Sequence, residues 1–398
     1  MQLVAYGAQD IYLTGNPQIT FFKVVYRRHT NFSMEAIEQT WNGSSGAGAG
    51  SAGRCTATIS RNGDLIHDMY IEVSGTSHAT PDIKNPTSQC ITNIELEIGG
   101  QRIDKHSGQF METWAELTEP NSDMKVGLVG GAATFGTPFQ LMSGMGGTVV
   151  HDTPVECIYN IPIYFWFCKN PGLALPLIAL QYHEVKVILD HNFSNGFKAA
   201  AANISQKLWV DYIYLDTDER RRFAQQSHEY LIEQVQEQSL SNPKGTSELN
   251  FNHPVKELIW NKFTGGAPVA LSTIEYAPAD TYLIKLNGHD RFAARHVSYF
   301  TRVQVNKHHS GCGGLDVPPG GDVEANIADG AVTGIHGIAV YSFALKPEEH
   351  QPSGTCNFSR IDTAQLVGSG NTVANTCFAI NYNVLRIMSG MGGLAYSN

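Results

Sequence analysis

No stretch of about 18 uncharged apolar residues occurs in this chain, so no membrane-spanning helix is indicated. Its first residues, Met1-Gln2-Leu3-Val4-Ala5-Tyr6-Gly7, hold no basic segment leading into an apolar one, the mark of a secretory signal. A soluble protein made in the cytosol is the expectation. Cysteine is scarce: Cys55, Cys90, Cys157, Cys168, Cys312, Cys356 and Cys377 are odd in number, scattered and never spaced as C-x-x-C. That argues against a disulfide framework and a zinc site, and leaves reduced, mostly buried, apolar fillers. Charged residues are few as well, 16% of the chain, with a net charge of −10. Direct packaging of nucleic acid is not expected, because phosphate contact needs a basic surface.

What the chain has in quantity is 39 glycines, 17 prolines and 10% aromatic residues, the composition of strands and turns with few solvated helices. At 398 residues it exceeds what one hydrophobic core usually supports, so two domains of about 200 residues are expected. The divide is legible in Ser205 to Gln234. Lys207 to Leu215 carries apolar residues on both alternating faces, as in a strand covered on both sides. Asp216, Thr217, Asp218 and Glu219 then supply a helix cap and first-turn acids, followed by Arg220, Arg221, Arg222 and Phe223. From Glu229 the pattern is strand-like again. The boundaries read as an N-terminal arm at 1–20, a first domain at 21–215, a linker helix at 216–228 and a second domain at 229–398. The arginine triplet follows acids and is expected to be a local salt-bridged helix face rather than a phosphate site.

Short strands with turn signals fill the first half. Phe32 to Trp41 partly alternates, 43–53 is a Gly/Ala/Ser loop, Cys55 to Ser60 ends at the turn Asn62-Gly63, and Met69, Ile71 and Val73 alternate, as do Ile94, Leu96 and Ile98 before Gly99-Gly100. This spacing suggests a sandwich or barrel of antiparallel sheets. From Glu119 to Thr153 the chain is rich in Gly, Thr and Met, with little period, and reads as a long surface excursion.

The organisation repeats. Ile94 to Arg102, leading to His106 and Phe110, is echoed by Tyr282 to Phe292, leading to His296 and Phe300. Tyr164 to Pro171 is echoed by Tyr341 to Pro347, and Trp209 to Leu215 by Tyr382 to Met388, in the same order. Offsets of this size mark a duplicated domain, whereas solenoid units run about 20 to 50 residues. A second repeat, Met142-Ser143-Gly144-Met145-Gly146-Gly147 against Met388-Ser389-Gly390-Met391-Gly392-Gly393, does not fit those offsets.

Four strings carry a resemblance: QLVAYGAQDIYLTGNPQITFFKVVYRRHTNF from Gln2, NPGLALPLIALQYHEVK from Asn170, QPSGTCNFSRI from Gln351 and NYNVLRIMSGMGGLAY from Asn381. They resemble the major capsid protein of nucleocytoplasmic large DNA viruses, most of all the chlorovirus and phycodnavirus coat proteins. The resemblance runs over nearly the whole chain; the stretch 119–153 and the loops 263–281 and 303–336 depart from it. It implies an all-β double jelly roll, two eight-stranded antiparallel sandwiches side by side, with short helices in loops and linker. It further implies a homotrimeric, pseudo-hexagonal capsomer that tiles an icosahedral shell against neighbouring capsomers. Gln2 to Pro17 would then be an inner arm, toward minor capsid proteins and an internal viral membrane.

Enzyme chemistry finds no purchase. None of the 15 histidines forms an H-x-H pair, His308-His309 reads as a loop position, and neither His183-Glu184 nor Asp104-Lys105-His106 accompanies a G-x-S-x-G nucleophile. No G-x-x-x-x-G-K occurs. No catalytic, cofactor-binding or metal residue is expected. The sequons at Asn31, Asn42, Asn192, Asn203 and Asn357 read as incidental in a chain without a secretory signal. The resemblance instead makes Asn371 and Asn375, before the last strand, the candidate glycan attachment sites. The alternatives to a major capsid subunit are a minor capsid paralogue or a carbohydrate-binding jelly-roll protein used in host attachment, and, less favoured, a metal-dependent cupin-like enzyme.

Overall fold

The strand marked by Lys207 to Leu215 is the inner strand of a sheet, and the fold is built outward from it in a computed structural model. The structure describes residues 16–18, 21–24, 26–43, 52–76, 85–119, 127–129, 132–134, 137–146, 156–197, 204–241, 245–261, 280–311, 313, 315–316, 335–336, 338–369 and 375–396. The strands of the two main sheets before residue 216 are β1 (Phe32–Gln39), β2 (Trp41–Gly43), β3 (Ala52–Thr58), β4 (Leu65–Thr76), β5 (Ile91–Ile98), β6 (Gln101–Ser107), β7 (Glu156–Pro162), β8 (Leu175–Pro176), β9 (Val185–Asn192) and β10 (Ser205–Leu215). One antiparallel sheet runs β1-β10-β4-β8, with β7 also on β4; the other runs β2-β3-β9-β5-β6. Alternation turns Met69, Ile71, Val73, Leu208 and Val210 from one sheet, and Ile94, Leu96, Ile98, Val187 and Leu189 from the other, into a single buried core.

After residue 227 the plan recurs with β11 (His228–Ser239), β12 (Thr246–Glu248), β13 (Pro254–Asn261), β14 (Thr281–Leu286), β15 (His289–Asp290), β16 (Arg295–His296), β17 (Ile338–Ser342), β18 (Cys356–Asn357), β19 (Ala364–Ser369), β20 (Thr376–Met388) and β21 (Met391–Leu394). These make the sheets β11-β20-β13-β17 and β12-β19-β14-β15, the first strand again beside the last long one. The second core surrounds Trp260, whose ring meets Tyr282 at 5.5 Å and Phe300 at 5.2 Å. Among the described residues, the ladders of these four sheets join strands on the same side of residues 216–227.

Two helices bear on how the halves are joined. α1 (Gly108–Thr118) starts where the Ser107 hydroxyl accepts the Phe110 N–H, and it is buried on two faces. Met111 and Ala115 enter the first core, while Phe110, Trp114 and Leu117 point away from it. α2 (Thr217–Gln225) is capped by Asp216 and carries no buried residue. Its arginines do not pair as a local face. Arg220 instead reaches Asp64 at 3.0 Å, whose other oxygen accepts the Leu215 N–H, so the linker is tied to the first half. The sequence does not reveal this partner because Asp64 lies far away in the chain, at the start of β4.

The stretch 119–153 is less featureless than its composition suggests. It contains a hairpin, Gly127–Val129 with Ala132–Thr134, and a short helix, Pro138–Ser143, started by a reciprocal Thr137/Gln140 capping box. The duplicated string Met-Ser-Gly-Met-Gly-Gly adopts two unrelated structures. At Gly144 (φ 65°) it ends that helix, whereas Ser389 (φ 52°) and Gly390 (φ 81°) form the turn between β20 and β21. Its value in both places is tolerance of left-handed backbone.

Candidate functional site

Apolar, hydrogen-bonding and charged side chains of both halves meet at the seam between the two sandwiches. β6 and β11 are the outer strands of their sheets and face one another. Exposed strand edges invite unwanted pairing, and here a carboxylate occupies both. Asp104 Oδ1 accepts the N–H of its neighbour Lys105 (2.9 Å) and of Val235 (3.2 Å), and its Oδ2 lies 2.9 Å from His106 Nε2. The Gln234 amide donates to the Ile103 carbonyl and accepts from Asn383 Nδ2 at 2.9 Å. Asp104 and His106, which the sequence places after a turn, are therefore buried in β6 as structural groups.

The outward face of α1 supplies the apolar part. Phe110, Trp114 and Leu117 pack with Ile259, Val305, Ile338, Val340, Phe378 and Ile380 of the second half. The open C-terminal end of α1 is closed by the segment after α3 (Gln304–His308): Gly311 N–H donates to Leu117 C=O (2.8 Å) and Gly313 N–H to Glu116 C=O (3.0 Å). A Cβ on Gly311 would lie 2.5 Å from the Glu116 carbonyl oxygen, so no larger residue fits there without displacing backbone.

Two buried charge groups flank this apolar contact. Glu233 on β11 takes Lys256 Nζ on one oxygen (2.8 Å) and Lys169 Nζ, from the first half, on the other (2.9 Å). Lys256 is fully buried, and Lys169 also stands 4.4 Å from the centre of the Trp114 ring. Burial alone would raise the Glu233 carboxyl's pKa; the two ammonium groups overcome that and hold it well below the ordinary range. In the second group His309 lies between carboxylates, Nε2 at 3.0 Å from Glu257 and Nδ1 at 3.2 Å from Glu348. The Glu257 carboxylate is fully buried and makes no well-aligned hydrogen bond, so the attraction to His309 is its main compensation. Burial disfavours the imidazolium, but the two carboxylates outweigh it and raise His309 to about 9.

These groups make stability depend on pH. His309's folded pKa lies above its ordinary 6.5, so its stabilisation is complete below about 6.5 and is lost as pH rises through about 9. Glu348 has the opposite sign: lowered from 4.5, its contribution is lost on acidification. Melting temperatures measured across this range should fall on the alkaline side, and His309→Gln should flatten that limb. An unchanged alkaline limb in the variant would show that another group is responsible.

None of the seam residues Lys169, Glu233, Lys256, Glu257 and Glu348 stands out in the sequence. The signal present is Lys256-Glu257 inside the otherwise apolar run Val255 to Trp260. His308 and His309 stand at the end of α3 rather than in a free loop, and His183 contacts Gly392 through Nδ1 (2.9 Å to the carbonyl). Among the described residues no cluster of three or more His, Cys, Asp or Glu could hold a metal, and no helix is long and apolar enough to cross a membrane. Asn375 stands at the entry to β20, its N–H donated to Asn261 and its carbonyl accepting from Leu240. Asn371 lies outside the described residues.

Two sandwiches of one strand order are joined edge to edge through a seam of apolar contacts and buried ion pairs. The chain belongs to the family of large eukaryotic DNA virus major capsid proteins, a structural and non-enzymatic class. The family model for the major capsid protein N-terminus matches residues 20–216, and that for the large eukaryotic DNA virus major capsid protein matches 219–319 and 328–393. The chain is 52% identical to the major capsid protein of Pyramimonas orientalis virus and 41% identical to that of Paramecium bursaria Chlorella virus 1, in each case over 100% of this chain and 99% of the relative. A quasi-atomic structure of the PBCV-1 virus capsid matches with a TM-score of 0.72 and 37% identity, covering 95% of this chain and 100% of that one. The Faustovirus major capsid protein, at 12% identity and a TM-score of 0.63, shares the fold. The fold is the double jelly roll, and the protein is a component of the virion capsid that assembles with neighbouring capsomers.

Proposed function

We propose that three copies of this chain form a pseudo-hexagonal capsomer, each copy contributing two jelly rolls, at 21–215 and 229–398, joined by the linker at 216–228. The observation that carries this reading is the recurrence of one strand order in two blocks fixed edge to edge. Three such pairs around a threefold axis present six nearly equivalent blocks, which suits a hexagonal lattice built from one gene product. Weak lateral contacts repeated many times then hold the shell. In this reading residues 1–20 form an arm on the inner face, toward minor capsid proteins and an internal viral membrane, and the chain is made and assembled in the host cytoplasm. Light scattering on a sizing column tests the proposal. A main species of three times 43.5 kDa with a hexagonal outline in negative stain is expected; a chain that stays monomeric at high concentration would overturn it.

Asn371 and Asn375 are proposed as glycan attachment sites, on the resemblance of the stretch before β20 to outer-loop asparagines of algal virus coat proteins. Glycopeptide mass spectrometry of virion-derived protein is expected to find a hexose-bearing peptide spanning them, and unmodified asparagine at both would end the proposal.

A further inference from the structure

The two halves repeat one strand order, but the same sheet face is covered in one and open in the other. In the second half, the face of β11-β20-β13-β17 turned away from its own core is buried, with Ile259, Val340, Phe378 and Ile380 packed against Phe110 and Trp114 of α1. The corresponding face of β1-β10-β4 carries Phe32 and Met34, 52% and 48% exposed, and the half-buried rings of Tyr70 and Trp209, stacked at 6.4 Å. Large apolar side chains left open together on one sheet face mark a contact surface.

Strand register makes the correspondence specific. Glu233 lies opposite Tyr382 and Glu38 opposite Trp209, and Tyr382 and Trp209 open the echoed strings of the two long inner strands. Glu38 is therefore the counterpart of Glu233. Glu233 holds Lys256 of its own half on one oxygen and Lys169 of the other half on the second. Glu38 has the first kind of partner, Lys207 of β10 at 3.6 Å from Oε2, and among the described residues lacks the second.

The counterpart of Lys169 is Lys346, since Tyr164 to Pro171 is echoed by Tyr341 to Pro347 and each lysine stands five residues after its tyrosine. Lys346 is exposed, Leu345 next to it is 74% exposed, and Val303, just before α3, is 53% exposed. His308 Nδ1 lies 3.2 Å from the Leu345 carbonyl, so the end of α3 adjoins this loop. Glu349 holds Lys346 at 2.7 Å, but both side chains are more than half exposed, and such a pair contributes little and can give way. The presenting surface carries Lys307 and Lys346 against Glu349, while the receiving face carries Glu38, Glu72 and Asp211 against Lys207, so their charges are opposite.

We infer that Val303, Leu345 and Lys346 of one copy seat on the open face of β1-β10-β4 of the next copy, Lys346 meeting Glu38 as Lys169 meets Glu233 inside the chain. Within a chain the first half presents to the second; between chains the second half presents to the first half of the next copy. The contact is heterologous, and a ring of three chains closes it. This rests on the three-copy reading, and the experiment separates the two. The full chain, Glu38→Lys, Lys346→Glu and the double variant Glu38→Lys/Lys346→Glu are compared by light scattering over a concentration series at low salt. Hydrogen exchange of the parent chain is followed over the same series.

Each single reversal is expected to weaken association at least about 10-fold by setting like charges together, and the double variant to recover most of the loss, because the opposite pair returns with its signs exchanged. Both side chains are exposed, so the dilute variants should melt with the parent. Peptides covering β1 and residues 343–346 should gain protection only in the associated species. A three-chain parent whose single reversals leave association unchanged, or whose double variant is not rescued, would overturn the contact and leave the three-copy reading intact. Protection gained on association at other surfaces but not at β1 would do the same. A parent chain that stays monomeric would overturn both.

Discussion

Glu233→Ala is expected to lower the free energy of unfolding by about 3–5 kcal/mol, read from the shift in urea midpoint. The size comes from what is left behind. Lys256 is fully buried and would lose its close carboxylate partner, while Lys169, whose side chain is 24% exposed, could turn to water. An ammonium held in the interior without a counter-charge must lose its proton or open the structure around it. Lys256→Met should be much milder, because Glu233 keeps Lys169 and the long apolar side chain refills the space. Equal losses in the two variants would mean that the pair contributes through packing rather than charge. The Glu233 loss should also shrink on acidification toward the range where its carboxylate protonates in the parent protein.

Trp114→Ala should cost a similar amount, about 3–5 kcal/mol, but for a different reason and with a different signature. The indole lies in the apolar seam, 6.0 Å from Phe110 and in edge contact with His309 at 6.4 Å, and it supports the Lys169 ammonium. Removing it opens a cavity between the two jelly rolls rather than inside either core. Hydrogen exchange should show this: peptides from α1, β13 and β17 should lose protection before those of β4 or β9. Simultaneous deprotection of all of them would mean that the seam and the two cores unfold as one unit.

The sequence made the architecture legible and the seam nearly invisible, for a physical reason. Alternation along a strand reports burial against a partner sheet, so Met69, Ile71 and Val73 or Tyr282, Ile284 and Leu286 announce their faces locally. The echoed strings around Trp209 and Tyr382 mark β10 and β20, each the inner strand beside the first of its half. A seam between two sandwiches has no such period. Phe110 and Trp114 sit on a helix whose other face is also buried, so its apolar residues do not reveal that they serve two different neighbours. Lys169, Glu233 and Lys256 lie on separate elements, and only the fold brings them together. The capping box at Thr137 to Gln140 was readable in principle, but the glycines around it masked it. The repeated Met-Ser-Gly-Met-Gly-Gly string shows the converse, a local sequence that permits a backbone shape without determining which structure uses it.

The carboxylate of Asp104, shared between a neighbouring N–H on β6 and one on β11, has a consequence for the geometry of the shell. Directional bonds at Asp104, Gln234 and Glu233 hold the two jelly rolls at one fixed rotation, where an apolar contact alone would let them slide. A block that cannot flex internally cannot absorb the bend of a closed surface. In the proposed three-copy assembly each capsomer is then a stiff tile, and any bend of the shell is set at the joints from one capsomer to the next.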